Sequence, residues 1–552
     1  MRKSKRWNVT AALIFTGAVL AFAGLLYLRS VNESAKRDEN QMQASAAWKK
    51  AATTPMAAYP EAVTYTLGKM TGDHNSNMPE GDTYEDNAYT RYLKEKLNIQ
   101  NEDVLEATED ENYDLMIRRM VIEGNMPDIM VVNDYDYLTK LIEADLVADL
   151  TTAYENCATP LIKSVYESYG DGLLDSVIFD GEMKAIPSTQ VYPGCSLLWL
   201  RDDWRKSLGL GEPQTVDDVE QILLAFRANK FDGQENVGIV STAGLVGQEN
   251  ANYSMDPVFA AFGAYPQTWI KDESGSWQYG STSSQTKEAL ACLADWYREG
   301  VLDEDYMMRT PTEIGELIQN NQCGAFFGWW WAPNNPLRTV LESNPDAVWV
   351  PYLITDENGI VNSYVPYQSA KYVVVKKGYE HPEIAVKMMS ALFDYARYKE
   401  TSKEIEDYAT GVDITARPLV INCDYSDAVF LTTSQMAAAL EGTQSVSQLN
   451  GLERAYLTQC QHYLDGTVIG ETWSAYASRI QAVQLIEKGN VRYINEDYVQ
   501  ETQGIQSRQL KDMEVLAFMK IVTGEEPVSY FDTFVKEWKA NGGEELAEKY
   551  LE

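Results

Sequence analysis

Asn112–Ala144 reads NYDLMIRRMVIEGNMPDIMVVNDYDYLTKLIEA, and its hydrophobic pattern changes period twice. From Asn112 to Glu123 the spacing is helical and sets Leu115, Ile117, Met120 and Val121 toward one side. Asp128–Val132 is a continuous apolar strand, and Tyr137–Ala144 is helical again. Upstream, Val63–Leu67 and Val104–Thr108 read as strands and Tyr89–Leu97 as a helix. Strand and helix in alternation mean βαβ units on a parallel sheet. Ligands of such sheets sit beyond the carboxyl ends of the strands. Asn133 and Asp134, followed by Tyr135, occupy that end of Asp128–Val132, which makes them candidate ligand contacts; either also suits the N-cap of the next helix.

A second set of units follows. Leu197–Leu200, Val237–Val240 and Gly324–Gly328 read as strands. Thr215-Val216-Asp217-Asp218 and Thr310-Pro311-Thr312-Glu313 carry capping-box starts, and Thr286–Arg298 is an amphipathic helix stopped by Gly300. Tyr372–Val375 is another strand, and Pro382 opens a helix to about Tyr398. No short repeat is present. The pattern predicts two α/β lobes, the second starting near Tyr192.

The composition narrows the chemistry. The 552 residues include 46 Lys+Arg and 82 Asp+Glu, a net charge of −36, which repels phosphates and argues against nucleic acid. Three histidines and six well-separated cysteines without a C-x-x-C pair argue against zinc sites and His-based triads. No phosphate loop, dinucleotide fingerprint or G-x-S-x-G elbow is present. Neither a cofactor nor a catalytic residue is expected, although 82 acidic residues leave a carboxylate dyad open.

Arg2, Lys3, Lys5 and Arg6 precede an uncharged run from Trp7 to Leu28. That run is long enough to span a bilayer, with the basic flank inside and the body outside. Ala21-Phe22-Ala23 resembles a cleavage site, but the apolar run continues past it, so an uncleaved anchor is preferred to a cleaved signal peptide over residues 1–29. Residues 30–58 read as a polar tether. No cysteine lies near the run, so lipid attachment there is not expected.

Aromatic residues supply the positive signal. Trp329-Trp330-Trp331 follows an apolar strand, and in an extended segment neighbouring side chains point to opposite faces. At least one ring then turns toward a ligand and covers sugar C–H surface, unless all three seal the core. Gln190, Tyr192 and Trp199 lie where the chain passes between lobes, as ligand contacts or as hinge packing. Arg201 and Asp203 suit a structural ion pair.

Several segments resemble the extracellular solute-binding proteins of carbohydrate ABC importers, in the large lipoprotein branch of Gram-positive bacteria. Gly124-Asn125-Met126-Pro127-Asp128-Ile129 is similar to that family's strand entry. Leu198-Trp199-Leu200-Arg201-Asp202-Asp203-Trp204, with Leu208-Gly209-Leu210, Pro213 and Thr215, is the most specific match. Trp296–Gly300, Gly328–Pro336 and Gly524–Pro527 continue it. The resemblance implies a two-lobed, periplasmic-binding-protein-like α/β fold, each lobe a mainly parallel sheet flanked by helices, with lobe-crossing hinge strands. Lobe 1 would hold residues 59–191 and 366–420, and lobe 2 residues 192–365 and 421–552. The resemblance implies no catalysis; it implies an oligosaccharide captured by hinge closure and ABC permease subunits as partners of a monomeric binder. The lipobox cysteine of lipoprotein members is missing. The loop that holds calcium in some relatives corresponds to Asn229–Asn236, where only Asp232 and Glu235 are acidic, so a surface turn is expected and no metal site. Crossings are expected near Tyr192–Leu198 and Tyr364–Lys371, returning near Arg417–Asp424. Arg417 is a candidate cleft donor to hydroxyls or a uronate, or else a helix-end or ion-pair residue. The competing functions are a surface glycoside hydrolase or lyase, and a binder or sensor for a non-sugar solute.

Overall fold

The computed structural model describes residues 43–72, 78–108, 112–170, 172–191, 194–231, 233–246, 252–271, 275–363, 369, 371–399, 402–494 and 505–551. The strands used below are Val63–Met70 (β1), Ile99–Ala107 (β2), Ile129–Val132 (β3), Ile186–Pro187 (β4), Leu197–Arg201 (β5), Ala325–Gly328 (β6), Trp349–Tyr352 (β7) and Tyr372–Val375 (β8). The helices are residues 43–52 (α1), Ala88–Leu97 (α2), Tyr113–Ile122 (α3), Tyr135–Glu143 (α4), Glu383–Ser390 (α5), Lys403–Gly411 (α6), Gly451–Leu464 (α7) and Gly470–Tyr476 (α8).

The first sheet has the order β2-β1-β3-β8-β4. Strand β1 runs parallel to β2 and β3, as the βαβ pattern requires, and β8 runs antiparallel to β3 and β4. β3 is buried along its whole length, which explains its unbroken apolar sequence. Helix α3 lies close over β1 at Gly68, where a Cβ would come within 2.6 Å of Ile117. Only Tyr113 and Ile117 of α3 are buried, and Leu115 is 66% exposed. Met120 and Val121 are half-buried against the same core, so of the expected face only Leu115 turns outward, and Ile117 makes the close contact over the glycine in the strand beneath.

The second sheet, β6-β5-β7, pairs antiparallel throughout. This corrects the expectation of a mainly parallel second sheet. β5 is reached by a passage from the first lobe and not by a helical crossover, so the rule that makes βαβ strands parallel does not bind it. Val237–Val240 contributes a parallel bridge from Ile239 to Ala325 and to Leu302 rather than a full strand. Both capping boxes form, at Thr215 with Asp218 and at Thr310 with Glu313. Arg201 and Asp203 form the structural pair, with Nε to Oδ1 at 2.9 Å and Nη2 to Oδ2 at 2.8 Å.

Buried apolar residues fall into separate cores. One joins Ala51–Ile186 to Tyr372–Cys423. The others lie between Cys195 and Trp538. This is a two-lobed α/β architecture. The six cysteines are free thiols.

Part of the expected tether is packed. Ala51 is fully buried and the Trp48 ring stacks on His381 with centroids 5.4 Å apart. The buried Lys387 ammonium on α5 donates to the carbonyls of Ala51, Thr54 and Ala57 at 2.7, 2.7 and 2.9 Å. Carbonyls in the last turn of α1 and just past it lack full helical partners, and a lysine from the lobe supplies them. Residues 1–42, which carry the apolar N-terminal run and the start of the tether, lie outside the described residues. Among the described residues no helix is long and apolar enough to cross a membrane.

Candidate functional site

Where the chain leaves the first core, neighbouring segments of that core are tied together. Ser188 N donates to the Lys371 carbonyl at 2.7 Å, and Thr189 N donates to the Asn422 carbonyl at 2.9 Å. Asn422 N and Asp424 N donate in return to the hydroxyls of Ser188 and Thr189, each at 2.9 Å. Three chain segments are thus tied through one buried Ser–Thr pair. Gln190, half-buried, follows that pair directly. Tyr192 and most of Tyr364–Lys371 lie outside the described residues.

On the first lobe the carboxyl ends of β1, β2 and β3 converge. Asp134 accepts from Tyr137 N at 3.3 Å as the N-cap of α4, and its other oxygen pairs with Arg118 at 2.5 Å. The capping alternative thus describes Asp134. Asn133 Nδ2 donates to Asp114 at 3.1 Å, while its Oδ1 is buried with no partner among the described residues. An unsatisfied acceptor at a strand's carboxyl end keeps Asn133 as a candidate contact. Lys69, at the end of β1, is fully buried; its ammonium donates to the carbonyls of Thr415 and, at 2.6 Å, Arg417. Burial pulls its pKa down to about 7. Burial likewise pushes the neighbouring Asp103 carboxyl up to about 6.

On the second lobe Gly328 ends β6 and the chain turns at once. A Cβ at Gly328 would come within 2.7 Å of Asn252 Oδ1, so only glycine lets Asn252 reach the backbone there. Asn252 Oδ1 accepts from Trp329 N at 3.1 Å, and its Nδ2 donates to the Asn335 carbonyl at 3.0 Å. Trp199 is fully buried in β5, and its indole N–H donates to the Trp329 carbonyl at 3.2 Å. Trp199 therefore braces the tryptophan turn from the core and has no face for a ligand, which corrects its candidacy as a contact. Trp330 and Trp331 lie in a turn, not in an extended segment, so the strand alternation does not apply to them. Trp329 borders a small cavity of about 30 Å³ with Ser196, Asp256, Tyr265 and Asn362. Trp330 is buried and carries the Arg479 guanidinium over its ring at 4.5 Å, with Tyr456 on that guanidinium's other contact, also at 4.5 Å. Trp331 is the most exposed of the three.

A larger cavity of about 290 Å³ lies between residues of the first core and α7. Tyr89, Phe393, Arg397 and Arg417 line it from the first lobe and Arg454 from α7. The structure places Arg417 at the wall of this cavity. Arg479, Asn252, Lys69 and Arg454 were not legible as site residues. Arg479 sits on the π-helical turn Ala477–Ala482, which has no sequence signal, and the others act through partners far along the chain. In the loop Asn229–Asn236, Glu235 pairs with exposed Lys230 at 2.8 Å, and Asp232 lies outside the described residues.

Comparison with known proteins accords with this geometry. Lipoprotein LipO of Bacillus subtilis (strain 168) is 21% identical over 452 residues, spanning 79% of this chain and 83% of the relative. The structure of the substrate-binding protein FusA of S. pneumoniae, an EF-hand mutant in complex with fructo-nystose, aligns with a TM-score of 0.60 at 14% identity, covering 88% of this chain and 98% of that one. The alginate-binding protein AlgQ2, without calcium ion, aligns with a TM-score of 0.56 at 16% identity, covering 90% and 98%. The model of the family described as bacterial extracellular solute-binding protein matches residues 75–396, more than half of the sequence, and the chain belongs to that family.

Proposed function

We propose that this chain is the ligand-capturing component of an ABC importer and that its ligand is an oligosaccharide enclosed between the lobes. The observation that carries the reading is the tryptophan turn at the end of β6. Its backbone is fixed from both sides by Asn252 and Trp199, so Trp331 is presented on a rigid mount beside a cavity-lining Trp329. Pre-set aromatic surface suits sugar C–H faces and costs little ordering on binding. The Ser188–Thr189 knot supports hinge closure, because ligand bridging both lobes stabilises only the closed form. Two relatives in structure, one bound to fructo-nystose and one described as alginate-binding, support a saccharide ligand.

The assignment of lobe 1 to residues 59–191 and 366–420, and of lobe 2 to 192–365 and 421–552, belongs to this reading, extended by α1 on the first lobe. So do docking of a monomer on permease subunits, an N-terminal anchor outside the cytoplasm and the absence of catalysis. Asn133, Gln190, Tyr192, Trp329, Trp330, Trp331 and Arg417 are the proposed contacts, with Asp134 and Trp199 in supporting roles.

Thermal unfolding against a panel of oligosaccharides, followed by chromatography of each sugar, tests the reading. A ligand at about 100 times its dissociation constant adds roughly 2.7 kcal/mol. An upward shift with intact sugar is expected. Cleaved sugar would replace the binder with a glycoside hydrolase or lyase, and no shift with any sugar would favour a non-sugar solute.

A further inference from the structure

The cavity of about 290 Å³ is bordered by three arginines in a chain of net charge −36. Its two carboxylates already face guanidinium groups. Asp424 pairs with Arg397 at 2.6 Å, and Glu406 lies 3.6 Å from Arg454. The excess positive charge is that of Arg417. Its guanidinium has no ion-pair or hydrogen-bond partner among the described residues, and it sits over the rings of Phe393 at 5.2 Å and Tyr89 at 5.8 Å. The Arg417 backbone is held by Lys69, so the residue is anchored while its side-chain donors stay unspent. A guanidinium resting on aromatic faces keeps its planar N–H groups for a carboxylate, which it binds in a two-point geometry that a hydroxyl does not match.

We propose that this cavity receives the carboxylate of an acidic saccharide, so that the captured chain contains uronate units. The proposal rests on the oligosaccharide reading and specifies its charge. The cavity volume is near the lower end of the ~300–1,000 Å³ typical of ligand sites, which fits one charged unit of a longer chain. The bulk negative surface repels such a ligand at long range, and the local arginines reverse that at contact, where salt screens less.

Calorimetric titration of the full-length chain with galacturonate and mannuronate trimers, their methyl esters and neutral trimers tests this. The ester keeps the sugar and removes the charge. The free acid should bind at least tenfold more tightly than its ester. Arg417→Gln should erase that preference, the acid losing at least tenfold more affinity than the ester. Should Arg417→Gln fail to fold, Arg454→Gln at the more exposed rim should reduce the same preference. An ester that binds as tightly as the acid, or a variant that weakens both alike, overturns the acidic ligand while sugar capture stands. If no acidic, esterified or neutral saccharide binds, the oligosaccharide reading fails and this proposal with it.

Discussion

Lys69 near the end of β1 and Asp103 midway along the adjacent parallel β2 are fully and partly buried, respectively, and each is shifted toward its neutral form. The Asp103 carboxyl moves from 3.8 to about 6, so the folded chain holds its proton more tightly than the unfolded chain. Its contribution to stability is present below pH 3.8 and is lost as pH rises through about 6. Lys69 falls from 10.5 to about 7, so its contribution is present above pH 10.5 and is lost as pH falls through about 7. Urea unfolding from pH 4 to 7 should show the wild type losing about 1–2 kcal/mol relative to Asp103→Asn, allowing for the partial exposure of the carboxyl. Parallel profiles would contradict the buried assignment. The three tryptophans separate in the same way. Trp331→Ala should weaken saccharide binding about tenfold, roughly 1.4 kcal/mol, and cost less stability than Trp330→Ala, because its ring is only half-buried against the core. Trp330→Ala should cost about 3–5 kcal/mol of stability, because that ring is buried beneath Arg479. Calorimetry and urea titration of the two variants distinguish these roles. Sequence placed the tryptophans at the strand end correctly, but which ring is exposed depends on the turn set by Gly328 and Asn252, a contact across 76 residues. Trp199 misled for the same reason: its strand position was legible, its burial under β6 and β7 was not.

At the scale of elements, local signals wrote themselves plainly. Capping boxes at Thr215 and Thr310, the left-handed Gly300 stop and the apolar β3 all act within a few residues. Elements held by distant partners were hidden. Helix α1 looked like a tether because its own composition is polar, and its docking depends on Lys387, more than 300 residues away. Burial pulls the Lys387 pKa down to about 8, and three carbonyls hold its proton in place. Lys387→Met should cost about 1–3 kcal/mol by leaving those carbonyls unpaired. Limited proteolysis should then cut the variant within residues 43–58 faster than the wild type. Equal cutting rates would mean that Trp48 packing alone seats the helix. The antiparallel second sheet was hidden too, since direction follows from the path of the chain between lobes and not from any strand's own residues.

At the scale of the molecule, one knot of hydrogen bonds through Ser188 and Thr189 ties three segments of the first core where the chain leaves it, and the first and second sheets share no strand. Around the cavity that Arg417 lines, α6 packs on α7 and Glu406 lies 3.6 Å from Arg454. A ligand in that cavity gains contacts from both sides and shifts the population toward closure by its differential affinity. Five of the six native cysteines are buried, so paired spin labels at Glu95→Cys on the first lobe and Glu316→Cys on the second can report the lobe separation with little background. The interlabel distance, measured before and after addition of a saccharide that raises the unfolding temperature, is the most direct test. A shorter, narrower distance distribution with the sugar recovered intact is expected. An unchanged distribution at saturating sugar would contradict capture by closure between the lobes.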